Sequence, residues 1–294
     1  MRTYVILNPA AGHSDPQEIR EQLAEKLPAP QWEVTIRHTQ PDDDVTQLAK
    51  DAVEDGYELL CAAGGDGTVS LVVDALVGTN VQLGIIPAGT TNALAQALDI
   101  PRKMDGAIEV IANPGRTVKL DALEVDGRYY VLAVGVGLSA ATMENTKRED
   151  KQRFGEAAYA WTVLKQLAGW QPRHYTLDID GRRETHRAAD ILLSNAGVLT
   201  GPLTWGEHIR PDDRQIDVCV IRARNVVNYV GIFGDRVLRR QRRNRHIRFL
   251  VAREKVKISA SAPLAVTGDG ELIGRTPVEA RVVPAAVTVR APES

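Results

Sequence analysis

The sequence predicts an α/β protein in which a first domain, built on a mainly parallel sheet, is followed by an antiparallel second domain. Three observations predict it. Strand-like and helix-like apolar periods alternate up to residue 87, the glycine-rich turns of that region follow strands, and from about Lys119 Asp-Gly pairs sit between alternating strands. Strands separated by helices imply right-handed crossovers and a parallel sheet, whose ligands bind at the carboxyl ends of the strands. Asp-Gly between alternating runs is a short-range hairpin signal.

The elements follow in order. "TYVIL" (3–7) is a short buried strand, and Ile19, Leu23 and Leu27 recur at helical spacing until Pro28 ends the helix. "WEVTIRH" (32–38) alternates as a strand; Val45, Leu48, Ala49, Ala52 and Val53 make a helix face that Gly56 stops. "YELLCAA" (57–63) is the next strand, followed by a glycine loop and a helix bearing Val69, Val72, Val73 and Leu76, with Gly78 after its end. "VQLGIIP" (81–87) is a strand again. Hairpins are expected in "LEVDGRYYVLAV" (123–134) and "YTLDIDGRRETH" (175–186), and helical spacing returns over 154–169. Residues 1–120 are read as the first domain and 121–277 as the second.

Composition bounds the function. With 294 residues, 44% hydrophobic, the chain has ample core for two domains, and a formal net charge of −2 argues against a polyanion binder. Cys61 and Cys219 lie in apolar strand-like runs, which suits reduced core thiols and a cytoplasmic compartment. The N-terminal apolar stretch is too short for a signal peptide and the longest near-apolar run, about 130–143, falls short of a bilayer span, so membrane contact is expected to be peripheral.

The chemistry is concentrated in loops. In "LLCAAGGDGTVS" (59–70), Gly64, Gly65 and Gly67 let the backbone approach a phosphate, while a helix starting near Thr68 aims its free N–H groups at the same spot. Asp66 suits such a loop if a divalent cation or its water shell lies between acid and phosphate. "LNPAAG" ends the first strand, and "IPAGTTNALAQAL" offers Gly89, Thr90 and Asn92 ahead of a helix. Each loop taken singly could be a plain helix cap; together at one sheet edge they make a phosphate pocket.

The succession Asn8-Pro9…Gly12, Gly64-Gly65-Asp66-Gly67-Thr68 and Gly89-Thr90-Thr91-Asn92 resembles the diacylglycerol kinase catalytic-domain family, in particular its soluble bacterial lipid kinases, over the length of the chain. "GGDGT" is shared with NAD kinases; "GTTNALA" favours lipid kinases. The resemblance implies an N-terminal α/β nucleotide-binding domain, a C-terminal antiparallel β-sandwich, an active site in the cleft between them, and a last segment (278–294) returning to the first domain. It implies ATP held by Asn8, Thr39, Gly64 to Thr68, Gly89, Thr90 and Asn92, with Asp66 linked to Mg²⁺ through water. In "VTGDGELIG", Asp269 matches the general base on the lipid hydroxyl, with Glu271 beside it, although Asp269-Gly270 equally fits an ordinary hairpin turn. In "IRPDDRQIDVCV", Asp213 and Asp217 match acids that hold a structural Mg²⁺. Three positions depart from the family pattern: Arg214 where glycine is usual, Ala93 where Asp is common after Asn92, and His13 where some members carry a lysine.

"GVGLSA" (135–140) reads as a tightly packed strand rather than a dinucleotide fingerprint, and no P-loop or protein-kinase motif occurs. The run "RVLRRQRRNRHIR" carries Arg236, Arg239, Arg240, Arg242, Arg243, Arg245 and Arg248 without interleaved stacking aromatics, so an anionic membrane surface fits it better than nucleic acid, with a solvated charged face as the plain alternative. The expected function is ATP-dependent phosphorylation of a lipid hydroxyl by a cytoplasmic, peripherally membrane-associated enzyme. The alternatives are an NAD kinase and a non-catalytic nucleotide- or lipid-binding regulator.

Overall fold

The computed structural model describes residues 1–11, 16–145, 170–200, 203–204, 206, 208–223, 225, 227–228, 231–232 and 246–293. The helical spacing over 154–169, Gly12, His13 and six of the seven arginines of the basic run lie outside the described residues.

The first half is a parallel sheet of β1 (Arg2–Leu7), β2 (Glu33–His38), β3 (Leu59–Gly64) and β4 (Gln82–Pro87) in the order β2-β1-β3-β4. β1, β3 and β4 are apolar because both faces are covered, and period-two alternation divides their side chains between two cores. Leu60 and Ala62 face α2 (Val45–Glu54) and α3 (Asp66–Leu76) through Ala49, Ala52, Val69, Val72 and Val73. Leu59, Cys61 and Ala63 face α1 (Pro16–Lys26) and α5 (Met104–Ala112) through Ile19, Leu23, Ile108 and Ile111. Asp44 starts α2 by accepting a hydrogen bond from the Gln47 amide at 3.0 Å. The short α4 (Ala93–Ala97) follows β4.

The second half is a β-sandwich. β7 (Ala133–Gly137), β10 (Asp190–Ser194), β13 (Ile216–Ile221), β14 (Ile247–Ala252), β16 (Ala265–Gly268) and β17 (Glu271–Arg275) form an antiparallel sheet in the order β14-β13-β10-β7-β16-β17. The residues between β10 and β13 include the small pair β11 (Val198–Thr200) and β12 (Leu203–Thr204). Opposite lie β8 (Arg173–Ile179), β9 (Arg182–Ala188) and β15 (Lys255–Ala260). Val134, Val136, Ile191, Leu193, Val218 and Val220 pack on Tyr175, Leu177, Val256 and Ile258 between the two layers.

The expected hairpins are present at β5 (Arg116–Val125) with β6 (Arg128–Tyr130), and at β8 with β9. Both corners have the positive φ pair of a type I′ turn, +51° and +79° at Asp126-Gly127 and +49° and +83° at Asp180-Gly181. "GVGLSA" is strand β7 leading straight into α6 (Leu138–Asn145), packed closely enough that a Cβ on Gly137 would fall 2.6 Å from the Ala189 carbonyl.

One strand joins the halves. β18 (Val278–Ala291) pairs with β15 at Val278 to Arg281, bends between Val283 and Val287, and then runs parallel to β4 at Thr288 and Val289, with β5 antiparallel along both parts. The return to the parallel sheet is therefore made by the second part of this strand, while its first part belongs to the sandwich. At the bend the buried Asp121 of β5 accepts hydrogen bonds from the Ala285 amide at 2.8 Å and from the Arg214 amide, tying both halves to the 211–214 loop.

Candidate active site

In the order β2-β1-β3-β4 the connections leave in opposite directions from β1 and β3, so the crevice outside their carboxyl ends is the place for a ligand. Asn8 and the glycine loop stand there. The Asn8 Nδ2 donates to Thr68 Oγ1 at 3.1 Å and its Oδ1 accepts from the Ala10 amide at 3.0 Å. Thr39, after β2, is buried, and its amide donates to the Leu7 carbonyl at 2.8 Å.

The glycines have separate reasons. A Cβ on Gly64 would sit 2.5 Å from Thr68 Oγ1, and one on Gly89 would sit 2.5 Å from the Gly65 Cα. Gly64 lets β3 turn tightly into α3, and Gly89 lets the β4–α4 loop close on the β3–α3 loop. Gly67, in the first turn of α3, is exposed, and a Cβ there would meet no described residue within 4 Å. Of the four, it is the one whose side-chain direction is left open for something outside the chain.

Two expected ligand-facing groups are turned inward. Asn92 has φ +51°, accepts from the Gly89 amide at 2.9 Å and donates to the Gly89 carbonyl at 2.6 Å, so its amide braces its own turn. Asp66 Oδ1 accepts from the Ala93 amide at 2.6 Å, across the two loops. Burial pushes the Asp66 carboxyl above its ordinary range, against the pull of the Ala93, Leu94 and Asn92 amides; the charge of Asp269 pushes it further up. Thr90 is exposed at the loop tip.

Asp269 and Gly270, with φ +46° and +88°, are the corner of the β16–β17 hairpin. The corner is also a site of convergence. Asp269 Oδ1 accepts from the Leu132 and Ala133 amides, both at 2.9 Å, and Oδ2 from the Val131 amide at 2.9 Å and Ser70 Oγ at 2.7 Å. Ser70 belongs to α3, so this turn of the sandwich is docked on the helix of the glycine loop. Burial raises the Asp269 carboxyl, opposed by the hydrogen bonds of Ser70, Val131, Ala133 and Leu132. Gly67, Ser70, Asp74, Tyr130, Asp269 and Glu271 line one narrow crevice at this junction. A larger hollow of about 340 Å³, bordered by Asp99, Arg116 and Arg210, contains none of the glycine-loop residues.

Asp213 and Asp217 sit on a different loop and strand. Asp213 Oδ2 accepts from Gln215 Nε2 at 2.8 Å, whereas its Oδ1 is buried with no hydrogen-bond partner among the described residues. Burial lifts the Asp217 carboxyl to about 6, eased by His208, whose Nε2 is 3.5 Å from Oδ1, and raised by Asp213. A buried carboxylate oxygen without a donor suits a cation. Among the described residues, however, no group of three or more His, Cys, Asp or Glu side chains gathers around one point, so two acids would need backbone or water oxygens to complete a shell. Arg214 has φ +61° and an exposed side chain, which leaves the glycine-like backbone of that loop intact.

Sequence reasoning missed Asp121, Asp190 and Ser70. The two acids stand alone in apolar strands, a pattern that signals a buried carboxylate with local partners; Ser70 has no sequence signal beyond its place one turn after Asp66.

A parallel sheet with glycine loops at the β1/β3 crevice, docked on a β-sandwich turn that carries a buried acid, fits a phosphotransferase. Residues 2–125 match the diacylglycerol kinase catalytic domain, and residues 132–291 match the YegS C-terminal NAD kinase beta sandwich-like domain. The chain is 27% identical to a diacylglycerol kinase of Bacillus subtilis over 95% of this chain and 92% of that one. It is 30% identical to an uncharacterized protein of Synechocystis over 98% of this chain and 70% of that one. A solved diacylglycerol kinase structure from Bacillus anthracis superposes with a TM-score of 0.79 at 21% identity, covering 99% of this chain and 96% of that one. The chain belongs to the diacylglycerol kinase catalytic-domain family and is a kinase.

Proposed function

We propose that this kinase transfers the γ-phosphoryl group of ATP to the hydroxyl of a diacylglycerol-like lipid. The observation that carries the reading is the meeting of the glycine-loop helix α3 with the Asp269 turn at one crevice, which brings phosphate-binding backbone and a buried acid together. The nucleotide phosphates lie against the α3 N-terminus at Gly67, where unpaired amides and the helix dipole favour anions, with Asn8, Thr39, Gly64, Gly65, Thr68, Gly89 and Thr90 shaping the pocket. Mg²⁺, when bound, neutralises charge on the transferring phosphate, and Asp66 is the acid that holds it through water. Asp269 draws the proton from the acceptor hydroxyl, an assistance worth typically 10²–10⁴-fold, with Glu271 at the crevice mouth. Asp213 and Asp217 would hold a second, structural Mg²⁺.

The acceptor is read as a lipid from the family and from the similarity to kinases named for diacylglycerol. No helix among the described residues is long and apolar enough to cross a membrane. The arginine run 236–248 is proposed to meet anionic lipid from the cytoplasmic side; vesicle binding that ignores salt and Arg-to-Gln changes in that run would remove this contact.

The test is incubation with γ-labelled ATP, Mg²⁺ and a panel of diacylglycerol, phosphatidylglycerol, sphingoid base and polyprenol in mixed micelles, with NAD as a parallel acceptor. Label in the organic phase is expected. Label on NAD instead would overturn the lipid reading, and ATP binding without any transfer would make the chain a regulator.

A further inference from the structure

Asp269 has a twin within the molecule. Asp180, at the corner of the β8–β9 hairpin, accepts hydrogen bonds from three successive amides, Arg253 at 2.8 Å, Glu254 at 3.0 Å and Lys255 at 2.9 Å, and donates its own amide to the Lys255 carbonyl at 3.1 Å. Asp269 repeats this arrangement on Val131, Leu132 and Ala133, donating its amide to the Ala133 carbonyl at 2.9 Å. Three amides therefore describe how an Asp-Gly corner of this fold is anchored to a neighbouring loop. They leave one of the roughly four acceptor positions of a carboxylate over.

At Asp180 no side chain among the described residues takes that fourth position. At Asp269 it is taken by Ser70 Oγ at 2.7 Å, from a helix 199 positions away in the chain. The anchoring amides belong to the backbone that runs from β6 into β7, where the Ala133 carbonyl also takes the Asp269 amide, so they hold the corner in place. Every acceptor position of the proposed base is thus filled, and only one donor is a rotatable hydroxyl. Ser70 also borders the crevice, with Gly67 one turn before it on the same helix.

We infer that Ser70 is a catalytic residue that relays the acceptor proton to Asp269. The inference rests on the proposed function above. The acceptor O–H donates to a lone pair of Ser70 Oγ, whose own proton already points at Asp269 Oδ2. As the acceptor oxygen bonds the γ-phosphorus, its proton passes to Ser70 and the Ser70 proton passes to Asp269. The bond from phosphorus to the ADP oxygen breaks, and its electron pair leaves with ADP. Asp269 returns its proton to water when the product departs, and nothing is oxidised or reduced.

The test compares wild type, Ser70→Ala, Ser70→Thr and Asp269→Asn for transfer from ATP to diacylglycerol in mixed micelles, with thermal midpoints and proton inventories in H₂O–D₂O mixtures. For Ser70→Ala, kcat normalised to the folded fraction is expected to fall by about 10²-fold, the scale of lost acid–base assistance, with KM for ATP unchanged and the midpoint lowered by the lost hydrogen bond to the buried carboxylate. Ser70→Thr, which keeps the hydroxyl, is expected to restore kcat to within a few fold. The inventory of the wild type should bow, as two protons in flight require. Ser70→Ala turning over as well as wild type would overturn the relay, as would a Thr variant as impaired as the Ala variant. If Ser70→Ala is active while Asp269→Asn is dead, the relay alone falls; if Asp269→Asn is also active, the base itself falls.

Discussion

The Ala93 amide donates to Asp66 Oδ1 at 2.6 Å, so the acid of the first glycine loop caps the helix that follows the second. Where Asp is common after Asn92 in the family, this chain keeps a small residue and uses its backbone. Asp66 is thus a brace as well as a candidate Mg²⁺ contact. Asp66→Ala is expected to cost about 1 kcal/mol of stability, the scale of a lost helix cap, in addition to the Mg²⁺-dependent activity. A melt unchanged by the substitution would show that the brace carries nothing.

Gly89 and Gly67 separate packing from ligand binding. Gly89→Ala places a methyl 2.5 Å from the Gly65 Cα and is expected to lower stability by about 1–3 kcal/mol, the range for overpacking. Gly67→Val adds atoms where no described residue lies, so its melt should stay close to wild type while ATP affinity drops at least tenfold. Unchanged ATP affinity in Gly67→Val, measured by calorimetry, would remove the phosphates from the α3 N-terminus.

Asp190 makes a pH-dependent contribution. Its buried carboxyl accepts from the Ser139 amide at 3.1 Å and Ser139 Oγ at 3.0 Å, and burial, opposed by those bonds, lifts it from 3.8 to about 7. The folded state then holds a proton that the unfolded chain has released, so stability is lost as pH rises from about 4 to about 7. The slope is about 1.4 kcal/mol per pH unit at most. Asp190→Asn is expected to flatten this slope. Parallel denaturation curves of the two proteins between pH 5 and 7.5 would contradict it.

Asp213 tests the structural cation. Millimolar Mg²⁺ without nucleotide should raise the wild-type thermal midpoint by binding only the folded state, and Asp213→Ala should abolish the rise. An equal rise in both would place the cation elsewhere.

Much of this fold is legible in the sequence because local rules and packing agree. β1, β3 and β4 read as buried strands since both faces are covered, and the Asp-Gly corners at 126 and 180 read as hairpins since each needs positive φ at both residues, whereas Asp269-Gly270 fits a turn and a catalytic acid equally in the sequence and is a hairpin corner in the structure. The glycine loops are legible as a group, but their glycines serve two ends, and spacing alone does not separate the loop-on-loop approach of Gly65 and Gly89 from the open Gly67. The bend of β18 is hidden because Ala285, with φ +53°, carries no turn signature; the position is fixed by its bond to Asp121, 164 residues earlier. Ser70 is hidden for the same reason: its role is set by a partner 199 positions away.

Asp269 and Asp180 provide the most direct test of the catalytic reading, since both are Asp-Gly corners anchored by three backbone amides. Asn fits the positive φ of either corner, but its NH₂ faces amide donors, so each substitution is expected to cost about 1–3 kcal/mol. The measurement is the turnover of γ-labelled ATP into diacylglycerol by Asp269→Asn and Asp180→Asn, each normalised to its folded fraction. Asp269→Asn is expected to fall by roughly 10²-fold or more, while Asp180→Asn stays within twofold of wild type. Asp269→Asn turning over as fast as Asp180→Asn would make Asp269 one more hairpin corner and leave the acceptor hydroxyl without its base.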